Sequence, residues 1–302
     1  VLPVAVFLAS LDWRGVVPMQ LRQAVDILAL TPFGAAWAIP ASSGGALTAA
    51  ILIAVGTVVL LAGAWFLIVR HVLTHTERPI VVRERGGLGW FAVAPGNAAG
   101  AIAARGLIYW LRDRRYLVNV VIVPVVAALL TVPLLIVGVP AELVALVPVP
   151  VMALFFGWIV HNDLAYDSTA VWMHVAGGVR GTADRVGRLV PVLVMAVPVL
   201  AVAVPVAIAF HGRWSVLPAL AGVTTALFLS GLGLSSIASV AAPYAVARPG
   251  ESPFQQPQRT GSAAAVSQTF VMIGALVLSA PALWWGGLTL TVDTSYAMAA
   301  LL

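Results

Sequence analysis

Residues 189–210, from Leu189 to Phe210, read LVPVLVMAVPVLAVAVPVAIAF, without one charged or amide side chain. As a helix this stretch rises about 33 Å at ~1.5 Å per residue. That is enough to cross a hydrocarbon core of about 30 Å. Outward from it, five other stretches pass the same test: Ala46–Val69, Leu117–Val137, Leu143–Val160, Trp214–Val240 and Phe270–Leu288. The chain is 61% hydrophobic and 9% charged, with a mean hydropathy of +1.03. A soluble domain of that composition has too little polar surface to cover itself. The fold class expected is an all-α polytopic membrane protein.

A shorter apolar piece, Val1–Ala9, cannot span and lacks the basic start of a signal peptide. The sequence begins and ends in apolar text, and both ends read as cut from longer helices.

All 16 basic residues are Arg. Thirteen lie in three segments, 70–115, 180–188 and 248–259; Arg14, Arg22 and Arg213 stand apart. Positive loops stay on the cytoplasmic side during insertion, so the three segments are expected there, and the spans alternate accordingly. The expected location is the inner (cytoplasmic) membrane, multi-pass. A pI near 10.4 then reports topology rather than nucleic-acid binding. With no Lys, the chain cannot build a phosphate-binding P-loop or a Lys Schiff base. With no Cys, disulfides, thiolate metal sites and Cys nucleophiles are excluded.

Between the spans, Leu11–Gly45 is expected to be extracytoplasmic, and its apolar stretch Ala24–Pro40, broken by Asp26, Pro32 and Gly34, reads as a short interfacial or re-entrant helical pair. Trp65 is placed as an interface anchor. Segment 70–97 is a polar linker with Pro79 and Gly86-Gly87 as breakers. Ala98–Arg115 carries Leu107, Ile108, Trp110 and Leu111, followed by Arg112-Asp113-Arg114-Arg115. This predicts an amphipathic helix on the membrane surface running into a span; a plain basic stop before the next helix is the other reading. The next two spans form a hairpin through Gly138, Pro140 and Glu142. Pro191, Pro198 and Pro205, seven residues apart, each remove a backbone donor and fall near one helix face. They read either as a kink or hinge beside a pathway, or as ordinary proline tolerance in a membrane helix. Small residues at Ser230-Gly231-Leu232-Gly233-Leu234-Ser235-Ser236 allow close helix contact. Trp284-Trp285 is expected at the outer interface.

Catalytic signals are weak. His71 and His75, with Glu77 near, could share a helix face, but no full metal shell is implied, and a solvated helix end is the plainer reading. His161 and His211 sit at span ends and read as interface residues. Asp163 and Asp167 lie in a loop with Arg180 and Arg185, so ion pairing or capping is favoured over catalysis. None of the six spans contains Asp, Glu, Arg or His. Ion-coupled transporters generally place such groups in the membrane, although backbone carbonyls can bind sodium. A permease energised by a separate ATPase needs none.

The loop His161–Arg188 offers a place for such a partner. Asp167 or Ser168 can cap a short helix, Thr169–Ala176. Val171, Trp172 and Val175 form its apolar side, and Gly177-Gly178 ends it. A short helix with an aromatic anchor suits docking; the other reading is a helix lying on the bilayer.

The order of surface helix, two spans, the loop Asn162-Asp-Leu-Ala-Tyr-Asp-Ser168 and then Gly187-Arg188 opening the next span resembles the permease subunit of ABC-2 type exporters. The stretch Ala242–Phe254 is similar to actinobacterial members. The resemblance covers residues 98–302. It implies an elbow helix carrying Leu107, Ile108, Trp110, Arg112, Arg114 and Arg115. It also implies a coupling helix at which Asp167, Ser168, Val171, Trp172 and Val175 dock the ATPase. The family often has Lys where Arg188 stands, which keeps the charge. Residues 98–302 would be a second transmembrane module lacking its last span, 70–97 the linker, and 1–69 the end of a preceding module. Two modules in one chain, or a homodimer, would complete the pathway.

The expectation is therefore an ABC exporter permease moving a hydrophobic or amphipathic substrate outward, in a range that includes drugs, lipids, peptides and glycans. Its partners would be ATPase subunits and membrane lipids, with no nucleic acid. It would not itself be an enzyme and would hold no cofactor, with ATP and Mg in the partner. The alternative is an ion-coupled or uncoupled secondary transporter.

Overall fold

The computed structural model describes residues 25–74, 87–246 and 262–302. Arg14, Arg22, His75, Glu77, Arg78, Arg83, Arg85, Arg248, Arg259 and the piece Val1–Ala9 lie outside them. The described residues are helical, with no strand among them. In chain order the helices are α1 Ala35–Ala38, α2 Gly44–Thr74, α3 Trp90–Val93, α4 Ala98–Arg112, α5 Arg114–Leu129, α6 Thr131–Ile136, α7 Ala141–Val144 and α8 Pro148–Trp158. They continue as α9 Asp163–Tyr166, α10 Val171–Ala176, α11 Gly181–His211, α12 Leu217–Ala241, α13 Ser262–Leu278, α14 Ala280–Thr291 and α15 Ala297–Leu301. Among the described residues five helical stretches are long and apolar enough to cross a membrane, or six where the bent pair α13–α14 counts as one span. The protein is a polytopic helical membrane protein.

The chain divides into two compact units at Gly86–Gly87, with Ile136–Gly138 grouped with the first. In the first unit, α2 is one unbroken apolar helix on which Trp65 is exposed. Before it, two short helical pieces, residues 25–29 and α1 running into a 3-10 turn at Ile39–Ala41, are separated by turns at 30–34, where the expected breakers Pro32 and Gly34 fall.

In the second unit three predicted spans are interrupted, two of them beside a proline, while the third breaks at Leu130 and keeps Pro124 inside α5. Leu117–Val137 is two helices, α5 and α6, meeting at Leu130. Leu143–Val160 opens as α7, loses its helix at 145–147 and resumes at Pro148. A proline has no N–H to continue the ladder but is well suited to the first turn of a new helix. Phe270–Leu288 is not straight either: α13 and α14 meet at Ser279 with a bend of 53°, just before Pro281. By contrast α11 runs unbroken through Pro191, Pro198 and Pro205. The three are respectively buried, exposed and half-buried, so they share no single environment. This helix also starts eight residues before the predicted span. It ends at Gly212, whose φ of 84° and N–H bond to the Ile208 carbonyl at 2.9 Å form a glycine stop.

The core lies where α8, α11 and α12 meet, around Phe156, Val149, Val192, Ile208 and Leu227. Glycines set the approach. A Cβ on Gly157 would lie 2.7 Å from the Phe228 carbonyl oxygen and 3.0 Å from the Gly231 Cα, so α8 and α12 touch backbone to backbone. The Ser235 hydroxyl of α12 donates to the Gly157 carbonyl at 2.8 Å. The small-residue stretch thus makes the contact its composition predicts. Beyond α14 the chain folds back, and α15 packs on α12 at Gly222. Trp284 is exposed, and Trp285 stacks on Tyr296 at 5.5 Å.

Candidate functional site

The loop 161–188 is pinned to four neighbouring segments by polar side chains, all at the Arg-rich end of the bundle. Its foundation is the pairing of α4 with α11. Asn97 caps α4, its Oδ1 accepting from the Gly100 N–H at 2.8 Å. A Cβ on Gly187 would meet the Ala99 carbonyl at 2.7 Å, and one on Gly106 would meet Pro191 Cγ at 2.8 Å. These glycines bring Arg105 of α4 and Arg188 of α11 to the same carboxylate. Asp167 accepts from Arg105 Nη2 at 2.7 Å and from Arg188 Nη2 at 2.5 Å.

The network continues in both directions. Arg188 Nε donates to Asp184 one turn earlier at 2.9 Å, and Asp184 contacts His174 Nδ1 of α10 at 2.5 Å. Asp163 pairs with Arg185 and accepts from the Ser239 hydroxyl of α12 at 2.5 Å. Ser239 in turn accepts from the Leu164 N–H at 3.1 Å. Three carboxylates therefore face three guanidinium groups. Asp163, Asp167 and Arg188 are buried, and such charges persist out of water only when paired.

Beside this lies an uncharged chain. Gln268 of α13 donates to the Tyr244 hydroxyl at 2.8 Å, which is 2.6 Å from His161 Nε2. His161 Nδ1 faces the Trp158 carbonyl at 2.8 Å. Only one proton arrangement satisfies every group: Nδ1–H donates to Trp158, and Nε2 accepts from Tyr244. Burial disfavours the imidazolium and moves the His161 pKa below its ordinary value, against the Trp158 carbonyl and the Asp163 charge, which favour the charged form. Asn162 completes the fastening, donating to the Tyr244 carbonyl at 2.9 Å and accepting from its N–H at 3.1 Å.

The predicted residues are distributed as follows. Trp172 and Val175 of α10 are exposed, with Met173 beside them, while Val171 is half-buried. The expected helix Thr169–Ala176 begins as a 3-10 turn, Ser168–Ala170, and becomes α-helical at Val171. Neither Asp167 nor Ser168 caps it. The Asp167 carboxylate turns inward to the two Arg, and Ser168 takes a left-handed φ of 51°, a conformation uncommon outside glycine. Gly177 and Gly178 end the helix as expected, Gly178 with φ of 60°.

The predicted surface helix Ala98–Arg115 stops at Arg112. Asp113 breaks it and caps α5 by accepting from the Arg115 N–H at 2.9 Å. Burial alone would raise the Asp113 pKa, but its bonds with Arg115 hold it below the usual carboxylate range. Leu107 and Trp110 are packed on protein, Trp110 against Tyr116 at 5.5 Å; Ile108 is half-buried and Arg112 exposed. Arg114 opens α5, and Arg115 is buried over the Tyr166 ring at 5.3 Å. His161 and His211, expected at the interface, are both buried and hydrogen-bonded. Of the pairings expected for the two Asp, Arg185 is present and exposed Arg180 takes no part.

Sequence reasoning missed Arg105, Asp184, Ser239, Tyr244 and Gln268. Only the Asp184–Arg188 spacing of four carried a local signal. Among the described residues no group of acidic and His side chains is arranged to hold a metal ion. Compared with known protein families, curated proteins and solved structures, the chain matches none.

Proposed function

We propose that this chain is the permease of an ATP-driven exporter, moving a hydrophobic or amphipathic substrate outward with energy from a separate ATPase. The observation that carries the reading is α10. One side of this short helix presents Trp172, Met173 and Val175 to the surroundings. The other side is fastened through His174 and Asp184 to Arg188 and Asp167. A push on Trp172 would reach α11 and α4 without passing through a flexible joint. The charges involved are mutually neutralised, which suits force transmission better than ion carriage. Nucleotide and Mg would be bound by the partner.

The test is copurification of the full-length protein with an ATPase subunit encoded beside its gene. Trp172→Ala combined with Val175→Asp alters two exposed residues, so the permease should still insert and fold. Loss of the ATPase from this variant supports docking through α10. Retention of the ATPase, or its failure to bind the wild type, overturns the reading and moves the secondary transporter forward.

A further inference from the structure

At the end of the bundle opposite the charge network, α7–α8, α12 and α14 wall a cleft of about 220 Å³. Leu146 and Pro150 form one side, Leu220 and Val223 the second, and Leu283 and Gly287 the third. Two helix breaks open it: the interruption at 145–147 and the bend at Ser279. Adjacent glycines on α14 divide the work. A Cβ on Gly286 would strike Val223 Cγ2 at 2.9 Å, whereas one on Gly287 meets nothing within 4 Å. The helix thus touches α12 through one glycine and faces open space through the next.

No lining side chain carries nitrogen or oxygen. A polar ligand group placed there would lose its hydrogen bonds to water without replacement. The volume exceeds the ~150 Å³ of an apolar cavity that admits benzene, so a length of alkyl chain fits. The rim is charged. Glu142 directly precedes the lining residue Leu143, and Arg213 lies three residues before Val216. His211 joins them, donating from Nδ1 to the Glu142 carbonyl at 2.8 Å and accepting from Arg213 Nε at 3.3 Å. Glu142 and Arg213 are both exposed, and among the described residues neither carboxylate nor guanidinium forms an ion pair. Arg213 is also the described Arg that stands outside the three Arg-rich segments.

We propose that this cleft binds the single alkyl chain of a zwitterionic amphiphile, with Arg213 facing its anionic group and Glu142 its cationic group. As a binding site it is independent of the export reading; as the class of substrate carried, it rests on that reading.

The test uses a lysophosphatidylethanolamine probe with a photoreactive diazirine in its acyl chain, and the full-length protein in phosphatidylglycerol vesicles without ATPase. Crosslinked peptides are mapped by mass spectrometry. Labelling should concentrate at 143–150 and 283–290 and fall at least tenfold with Gly287→Leu. Gly233→Leu, which also points a new side chain into open space, should leave it unchanged. Excess unlabelled lysophosphatidylethanolamine should abolish labelling of the wild type, a readout that needs no variant. A neutral monoacylglycerol probe should label the wild type less, and Arg213→Gln with Glu142→Gln should erase that difference.

Even labelling of outward-facing helices such as α5, or labelling indifferent to Gly287→Leu, would overturn the site. Equal labelling by both probes would overturn the charge assignment. Suppression in vesicles of diacyl phosphatidylethanolamine would overturn the single-chain assignment and give the cleft to the bilayer's own lipid. ATPase copurification is not involved, so failure of the export reading would leave these results standing.

Discussion

Two spans of the second unit invert the rule of soluble proteins. Arg115–Ile136 is the more apolar, yet only 11% of its most apolar window is buried, against 56% for Trp214–Ala241. Against water the reverse would hold, because burial removes apolar surface. Against lipid tails a Leu gains little by being buried, so helix association depends on close backbone approach and on polar contacts. The span 214–241 is built for both: Gly222 admits α15, Gly231 meets Gly157, and Ser235 and Ser239 donate across to neighbouring segments. The span 115–136 makes its polar and aromatic contacts at its first turn, through Arg115 and Tyr116, and beyond it presents Val121, Ile122, Val125 and Leu129 outward.

The largest expected effect breaks the polar side of this contrast. Arg188→Ala leaves Asp167 with Arg105 alone and Asp184 with His174 alone, and removing one partner of a buried ion pair costs up to about 3–5 kcal/mol. The melting midpoint of the purified protein in detergent should fall accordingly. A drop no larger than that of an exposed substitution would mean that water screens the network. Next comes the glycine contact. Gly231→Leu drives a side chain into the Gly157 backbone, where a Cβ already lies 3.0 Å from its Cα, and overpacking of this kind costs about 1–3 kcal/mol or more. Gly233→Leu, two residues away on the open side, should cost under about 0.5 kcal/mol. Similar losses for the two would show that α8 and α12 are not in backbone contact.

A smaller effect should appear with pH. The folded protein favours neutral His161, so its pKa is lower there than in the unfolded chain. Its contribution is full above the unfolded value of about 6.5 and is lost as pH falls toward the lower folded value. Midpoints measured from pH 7.5 to 5.5 should decline more steeply for the wild type than for His161→Asn. Parallel declines would rule out His161 as the source. The smallest effect is the complement of the first two: Val121→Ala, on the outward span, should shift stability by less than about 0.5 kcal/mol, since lipid replaces the lost methyl groups. A loss near that of Gly231→Leu would make apolar packing the main source of stability here, as in water, and end the contrast.

Much of the helical layout was legible because each span is a local property of about twenty residues. The prolines were visible as well, but their consequences were not. Pro148 and Pro281 coincide with breaks, while Pro191, Pro198 and Pro205 lie within one continuous helix. Pro191 lies against Gly106 on another helix, where a Cβ would come within 2.8 Å of its ring, and a contact 85 positions distant leaves no periodic trace. The coupling loop was partly readable for the same reason. The glycine stop at Gly177-Gly178 and the aromatic at Trp172 are local features, whereas the inward turn of Asp167 depends on Arg105 and Arg188 arriving from separate helices.

From sequence alone follow the class of solvent this chain occupies, the approximate extent of its spans and the clustering of Arg into alternate loops. Each rests on composition within a window and on the cost of placing charge in hydrocarbon. Only the tertiary structure decided which apolar faces meet one another and which meet lipid, because hydropathy does not distinguish a Leu partner from an acyl chain. It also decided that Asp163, Asp167 and Asp184 neutralise Arg105, Arg185 and Arg188 at the Arg-rich end and that the opposite end holds an apolar cleft. Both arise where side chains far apart in sequence are brought within a few ångströms by glycines that let the backbones close.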